Sequence, residues 1–569
     1  MNFKDKETIQ KLRGGYYTPI NIAEKISKWA IEPGTGTVME PSCGDGIFLK
    51  AMVNLVRTNQ IANDFSVEAV ELFPSEAEKS RLISNELEKL GIHSEIITTD
   101  FFSWFQKLSE SKSWDAIIGN PPYIRYQYFD NEQRELSKDI FSRAKVPFTK
   151  RTNAWVPFVI ASVMKLSRGG RLAMVLPTEL LHIIHANGLR LLLEQEMSSI
   201  NIVDIQEIVF KETLQGVILL LAEKRKDRIF FPLTTDRSPK NQIKLGFDKT
   251  KSQIKIINLE KASYIEKINI DDNNQKTTSK NLNGKWTRAL LTNKELSVLE
   301  EIENKSEINR FFEIAEVDIG IVTGANKYFV VDRKTVNEFH LSDISSPMLA
   351  RSDFIQGITY KLSDHKENEL KGKSVLFLEF PNLPKNKLPK KMKEYIELGE
   401  SAELHTRYKC RIREPWYKVP YIWTSKIALL KRSHFYPRLV LNLANAYSTD
   451  TAYRIKMINM FENREKDFVF SFLNSLTFLS AELEGRHYGG GVLELVPSEI
   501  ENLLIPLISP TDGQFDQVDE MVRKGVSVDE LLDFTDPIIL GAENHLNLSD
   551  NHIQIIRNAR ERLQTRRHR

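Results

Sequence analysis

Four short segments between Thr37 and Gly119 constrain this chain more than anything else in it. Thr37–Glu40, Val67–Leu72, Ile96–Phe101 and Trp114–Gly119 are apolar and often β-branched, as strands require. After the first, Phe48, Leu49, Met52, Val53 and Val56 recur at helical spacing. After the second, a helix from about Ser75 to Leu90 stops at Gly91. Strands alternating with helices in this way form a parallel sheet covered on both faces, a doubly wound α/β domain. Ile22, Ile26, Trp29 and Ala30 place one more helix ahead of it, entered at Thr18 or Asn21.

Parallel strands bring their C-terminal ends to one edge, where such sheets bind ligands. The residues at those ends are Glu40, Glu71, Asp100 and Asn120. A single acid there is more often a helix N-cap or a solvated loop residue. An ordered series beside the loop Pro41-Ser42-Cys43-Gly44-Asp45-Gly46 points instead to a bound small molecule. Gly44 and Gly46 permit backbone approaches that a Cβ would block, and the N–H groups opening the next helix can face a carboxylate. The loop is not a dinucleotide fingerprint, because Leu49 fills the third glycine position, nor a P-loop, because no G-K-[ST] follows. Glu71, one strand later, is placed to accept hydrogen bonds from ribose hydroxyls.

The fourth segment ends in Ile117-Ile118-Gly119-Asn120-Pro121-Pro122-Tyr123. Proline fixes φ and lacks an N–H, so the strand must stop in a stiff turn. That turn holds one side-chain amide, adjacent backbone carbonyls and one aromatic ring at the mouth of the sheet. Such a set can grip a flat, amine-bearing group.

The rest of the composition sets limits. At 569 residues the chain is too long for one core, and two or three domains are expected. Two cysteines, Cys43 and Cys410, support neither a disulfide framework nor a thiolate metal cluster. Met1–Lys6 has charges with no apolar stretch behind it, and runs such as Val217–Ala222 are too short to span a bilayer, so an intracellular enzyme is expected. A net charge of +3 neither demands nor excludes nucleic acid.

The motifs together carry a resemblance. Tyr17-Thr18-Pro19, then Glu40-Pro41-Ser42-Cys43-Gly44-Asp45-Gly46, then Asn120-Pro121-Pro122-Tyr123 resemble the S-adenosylmethionine-dependent amino-methyltransferases. Within these, the order matches the γ-class (TaqI-like) N6-adenine DNA methyltransferases of restriction-modification systems. The resemblance is close to about residue 225 and looser beyond. It implies a Rossmann-like methyltransferase domain followed by an α+β target-recognition domain. It also implies S-adenosyl-L-methionine as cofactor, held by Tyr17, Thr18, Glu40, Pro41, Ser42, Gly44 and Gly46, with Glu71 on the ribose and Asp100 on the adenine amine. No metal is expected. In the family an aromatic after a late strand stacks on the extruded base, which singles out Phe210, after Ile205–Val209 and before Val217–Leu221; the alternative for Phe210 is plain core.

The chemistry suits these residues. Adenine N6 is a weak nucleophile, its lone pair delocalised into the ring. The Asn120 amide oxygen and the Pro121 carbonyl can accept from both N6 hydrogens, as neutral acceptors aimed by Pro121 and Pro122. Tyr123 and Phe210 on either face would hold the ring in line with the methyl donor. No Pro-Cys dipeptide is present, which fits a reaction without a cysteine nucleophile. In a duplex the base must be flipped out, at a cost of a few kcal/mol.

Three regions are expected: a catalytic domain over 1–225, a polar, β-rich connector over 226–285, and a target-recognition domain over 286–569 with a basic C-terminal helix. Val317–Val330 reads as a strand–turn–strand hairpin. Basic and aromatic residues interleave at Arg407–Tyr417 and Lys431–Arg438, which makes Arg411, Arg413, Lys431 and Arg432 candidates for DNA contact. Gly490 would allow close approach to a phosphate. The expected partner is double-stranded DNA, with a cognate restriction endonuclease in the same system and no stable complex with it. A cytoplasmic, prokaryotic monomer held at the nucleoid by DNA follows. Alternatives are an RNA or protein-glutamine amino-methyltransferase, whose accessory region usually precedes the catalytic domain, and a DNA-binding subunit of a phage-defence complex. Any fused nuclease would need a carboxylate–lysine metal cluster, and the sequence offers no convincing one.

Overall fold

A computed structural model of the chain describes residues 18–124, 126–149, 152–207, 209–210, 216–227, 253–270, 277–279, 285–488, 490–541 and 546–568. Tyr17 lies outside them. The chain divides into two compact units, with the break between Asn293 and Lys294.

The first unit is built on one nine-stranded sheet. Its strands are β1 (Thr37–Glu40), β2 (Ser66–Glu71), β3 (Ser94–Thr98), β4 (Trp114–Gly119), β5 (Leu166–Pro177), β6 (Met197–Ile205), β7 (Val217–Lys224), β8 (Gln253–Leu259) and β9 (Thr277–Ser279). Their order is β3-β2-β1-β4-β5-β7-β6-β8-β9. Strands β1 to β5 are parallel, and β7 runs antiparallel between β5 and β6. The order therefore reverses between β1 and β4, which is where a doubly wound sheet opens a crevice for ligands.

The helices follow from the apolar spacing. Helix α1 (Ile20–Ala30) buries Ile22, Ala23, Ile26, Trp29 and Ala30 on one stripe, and Pro19 stands just before it. Helix α2 (Ile47–Arg57) buries Phe48, Leu49, Met52 and Val53 on the same core, and α3 (Pro74–Lys89) follows β2. Helix α4 (Phe101–Lys107) follows β3, and α5 (Asn131–Arg143) and α6 (Trp155–Lys165) lie between β4 and β5. Gly169-Gly170 lies inside β5, where Gly170 sits too close to the Asp115 and Ser167 carbonyls to accept a Cβ.

Two expectations need correcting. The described part of 226–285 is β-rich but is no separate connector: β8 pairs in parallel with β6 along seven residues, and β9 with β8. Ile254, Ile256 and Ile257 are buried in β8, so the segment completes the sheet of the first unit. The hairpin over Val317–Val330 does not form. Ala315–Asp318 pairs with Ala452–Met457, whereas Val330–Val331 pairs with Leu376–Leu378. The intervening turn is held instead by Arg413, whose guanidinium donates to the carbonyls of Thr323 and Val322, both at 2.8 Å.

The second unit has an α+β core. Its largest sheet has five strands, including Ile427–Leu430 and Leu439–Asn442. The basic C-terminal helix (Asp550–Arg567) is not a solvated tail. It buries Ile553, Ile556 and Leu563, each worth about 1.5–3 kcal/mol when removed from water. Its arginines meet acids: Arg557 with Asp536, Arg560 with Asp529, and Arg567 with Glu482. Among the described residues no helix is long and apolar enough to cross a membrane.

Candidate active site

The crevice between β1 and β4 brings the predicted residues together. Glu40 is the last residue of β1, and Asn120 follows the last residue of β4. The two strands are paired through Val38 with Ala116 and Met39 with Ile117, so their ends are neighbours. A Cβ on Gly119 would stand 3.3 Å from Pro41 Cδ, a tight fit, so the end of this strand packs closely on the glycine loop. Ser42 Oγ donates to the Asn120 carbonyl at 3.2 Å, tying the glycine loop to the Asn-Pro-Pro-Tyr turn. Asn120 Nδ2 donates to Thr18 Oγ1 at 3.2 Å, and Thr18 is buried. That bond fixes the amide and turns its acceptor end to the other side.

The loop is shaped by its glycines and by Glu71. Gly44 and Gly46 have φ of +56° and +87°, a region L side chains avoid. Space beside Gly44 is open, whereas a Cβ on Gly46 would strike Ile83 and Ser80. Ser80 Oγ donates to the Gly44 carbonyl at 2.8 Å. Glu71 accepts from the N–H groups of Gly44 and Phe73, both at 2.9 Å, and burial pushes its carboxyl up against those bonds. Asp100 caps α4, accepting from Ser103 N at 2.9 Å, and its second oxygen accepts from Gln133 Nε2 at 3.1 Å.

Glu40 is different. It is fully enclosed, and neither carboxylate oxygen has a hydrogen-bond partner among the described residues. Burial, with the nearby Asp45 and Glu71 carboxylates, holds it well above the usual carboxylate range. A buried acid in this state costs stability unless a cationic donor reaches it.

On the acceptor side, Tyr123 OH donates to the Val175 carbonyl at 3.0 Å, and its ring packs on the sheet's core. Phe210 lies five residues beyond the end of β6 and is 6% exposed, within that same cluster. At the neighbouring strand end, Asn153 Nδ2 donates to Glu179 Oε2 at 2.7 Å. Sequence reasoning missed Ser80, Gln133 and this pair. Asp130-Asn131-Glu132-Gln133 signals a helix start, with Asp130 accepting from Gln133 N at 2.8 Å, but says nothing of where the glutamine side chain goes.

Two family models match the chain. The Eco57I restriction-modification methylase model matches residues 49–210, and the C-terminal domain of the Type II methyltransferase M.Eco57I matches residues 283–540. The chain is 26% identical to the Type II methyltransferase M.AccI of Acinetobacter calcoaceticus over 504 residues, covering 85% of this chain and 84% of that protein. It is 25% identical to M.HincII of Haemophilus influenzae over 177 residues, 31% and 30% of the two. It is 22% identical to M.BanIII of Aneurinibacillus aneurinilyticus over 361 residues, 58% and 59%. The chain belongs to the γ-class restriction-modification methyltransferases.

S-adenosyl-L-methionine is the cofactor of this fold, and it supplies an activated methyl group on a sulfonium. The crevice residues fit it. Glu40 offers two unpartnered buried oxygens to an ammonium group, Gly44 leaves room for a backbone approach, and Glu71 and Asp100 stand as further acceptors along the same edge.

In the methyltransferase's second unit, the predicted DNA contacts separate. Arg413 spends its guanidinium on backbone carbonyls, and Lys431 and Arg432 share Glu494, at 3.6 and 2.6 Å. Arg411 is exposed. Gly490 has φ of +78° and open space beside it.

Proposed function

We propose that the protein transfers a methyl group from S-adenosyl-L-methionine to N6 of an adenine flipped out of double-stranded DNA, at a specific sequence, as the protecting half of a restriction-modification system. The observation that carries this reading is the Asn-Pro-Pro-Tyr turn standing beside the enclosed Glu40 at the sheet's switch point. In this reading Asn120 Oδ1 and the Pro121 carbonyl accept the two N6 hydrogens, with Pro122 stiffening the turn. These bonds strengthen as the nitrogen pyramidalises, so they favour the transition state over the ground state. Tyr123 and Phe210 take the two faces of the ring, recovering about 1–3 kcal/mol per stacked base. For Phe210 this requires a move out of the core cluster when DNA binds. Thr18, Pro41, Ser42, Gly44 and Gly46 surround the methionine half of the cofactor.

The test is direct. Protein incubated with methyl-labelled cofactor and mixed-sequence duplex DNA, followed by digestion to nucleosides, is expected to place the label in N6-methyl-2′-deoxyadenosine. Label in cytosine, in RNA, in protein or nowhere overturns the reading. Methylation mapping in a host expressing the protein then gives the sequence it acts on.

A further inference from the structure

The second unit carries a groove of about 780 Å³ that brings together two stretches far apart in sequence. One wall is the turn 322–328, and the other runs from Tyr395 and Leu398 to Arg407, with Asp450 at the rim. The walls are fixed to each other. Gly324, at φ +81°, packs so closely on the opposite segment that a Cβ would stand 2.9 Å from Lys409 Cβ and 3.2 Å from Cys410 Sγ. Arg413 anchors the carbonyls of Val322 and Thr323.

Four cations lie on or next to its walls: Lys327 and Arg407 line it, Lys409 packs beside Gly324, and Arg411 follows on the same short helix. All four are exposed, and none forms an ion pair among the described residues. Asp450 is the acid in the lining, and Asn326 Nδ2 donates to it at 3.1 Å. The other basic cluster behaves oppositely. Lys431 and Arg432 meet the nearly enclosed Glu494, and Arg438 donates to the carbonyls of Ile355 and Gln356. Its donors are already occupied at home.

We infer that this groove seats the sugar–phosphate backbone of duplex DNA, with Lys327, Arg407, Lys409 and Arg411 as its phosphate contacts. The inference rests on the function proposed above. Unmatched cations spread along a rigid wall suit a polyanion better than a single small anion, which one guanidinium would satisfy. Tyr408 and Ile412, 64% and 63% exposed among these cations, add the apolar surface that sugars and base edges present to a protein. Contacts of this kind set affinity and register without reading sequence.

The experiment measures binding of the full-length protein to a duplex lacking any methylated site, as a function of salt. Four phosphate contacts contribute about 0.9 each to the slope of log K against log salt, or roughly 10²-fold in affinity between 50 and 200 mM. The double variant Arg407→Ala/Arg411→Ala is expected to flatten the slope by about 1.8 and to weaken binding equally on all sequences. Cofactor binding should be unchanged. Lys524→Ala removes an equally exposed charge paired with Glu520, and should leave the slope alone. A double variant with the parent slope overturns the inference while leaving the methyltransferase reading intact, as does a groove that binds single-stranded RNA in preference to duplex. A parent protein that neither binds nor methylates duplex DNA overturns both.

Discussion

Glu40 and Glu482 are both glutamates shut away from water, one in each unit, and they are treated in opposite ways. Glu482, on the helix Ser475–Glu484, receives Arg567 Nε at 3.0 Å and Nη2 at 2.7 Å, with His487 Nε2 at 3.4 Å. Burial pushes its carboxyl up, but the hydrogen bonds from His487 and Arg567 outweigh it and hold it down to about 2. Glu40 has burial and two neighbouring acids, with no such partner, and is pushed up. A matched buried charge belongs to the scaffold. An unmatched one is a strain on the fold unless a ligand supplies the missing cation, so it marks where a ligand binds.

The sharpest way to test this contrast is to put Glu482 in Glu40's position. Arg567→Ala leaves it enclosed with His487 but without its guanidinium, and should cost about 3–5 kcal/mol in denaturant or thermal unfolding. A loss under about 1 kcal/mol would mean that the pair does not hold the C-terminal helix. The two acids should also give opposite pH responses. Glu482, held below the ordinary 4.5, contributes stability that is full above that value and lost as pH falls toward 2. Glu40, held above it, favours the neutral form, so cofactor-free protein loses stability as pH rises past 4.5. Comparing unfolding curves of Glu40→Gln and Glu482→Gln across pH should show the two slopes change in opposite senses.

Removing groups at the active edge should not lower stability much but should be decisive in function. Asn120→Ala is expected to lower single-turnover methyl transfer by about 10²–10³-fold, as loss of one aimed hydrogen-bonding group does in other active sites. It should leave cofactor affinity largely intact, because the role proposed for its amide oxygen is toward the substrate amine and not toward the cofactor. Equal loss of binding and transfer would contradict the role given to it. Glu40→Gln should do the reverse, weakening cofactor binding by about 10–100-fold, the worth of a charge-assisted hydrogen bond, while the cofactor-free protein melts no lower than the parent. Calorimetric titration with and without the substitution decides it.

How much of this was legible in the sequence follows from how local each feature is. The sheet, its helices and the polar strand ends rest on periodicities a few residues long, and Glu40, Glu71, Asp100 and Asn120 all fall on the expected edge. Partners were not legible. Asp100 shares its carboxylate with Gln133, and Arg567 finds Glu482 across 85 residues. The cluster at Lys431–Arg438 looked like nucleic-acid surface, and the C-terminal helix simply basic, because composition shows cations and hides the acids that meet them. The segment 253–259 read as a connector because strand pairing with β6 is likewise a tertiary fact. Hydrophobic period reports which face is buried, not against what.

Tyr123 crosses the division, and the smallest expected effect comes from it. Its hydroxyl is spent on a core-strand carbonyl, Val175 O at 3.0 Å, while its ring stands at the end of the catalytic turn. If the hydroxyl serves the fold and the ring serves the substrate, the two can be separated by chemistry. Tyr123→Phe keeps the ring and drops one neutral hydrogen bond, so it should cost about 0.5–1.5 kcal/mol of stability and leave methyl transfer within a few-fold of the parent. Tyr123→Ala removes the stacking face as well, and should lower kcat/KM by about 10–100-fold through the lost base contact. Substrates carrying a mismatch at the target base need less energy to extrude, and should recover part of that deficit in the alanine variant but change little in the phenylalanine one. A phenylalanine variant as inactive as the alanine one would place the hydroxyl itself in the chemistry, and the clean separation between scaffold and site would fail at the residue where they meet.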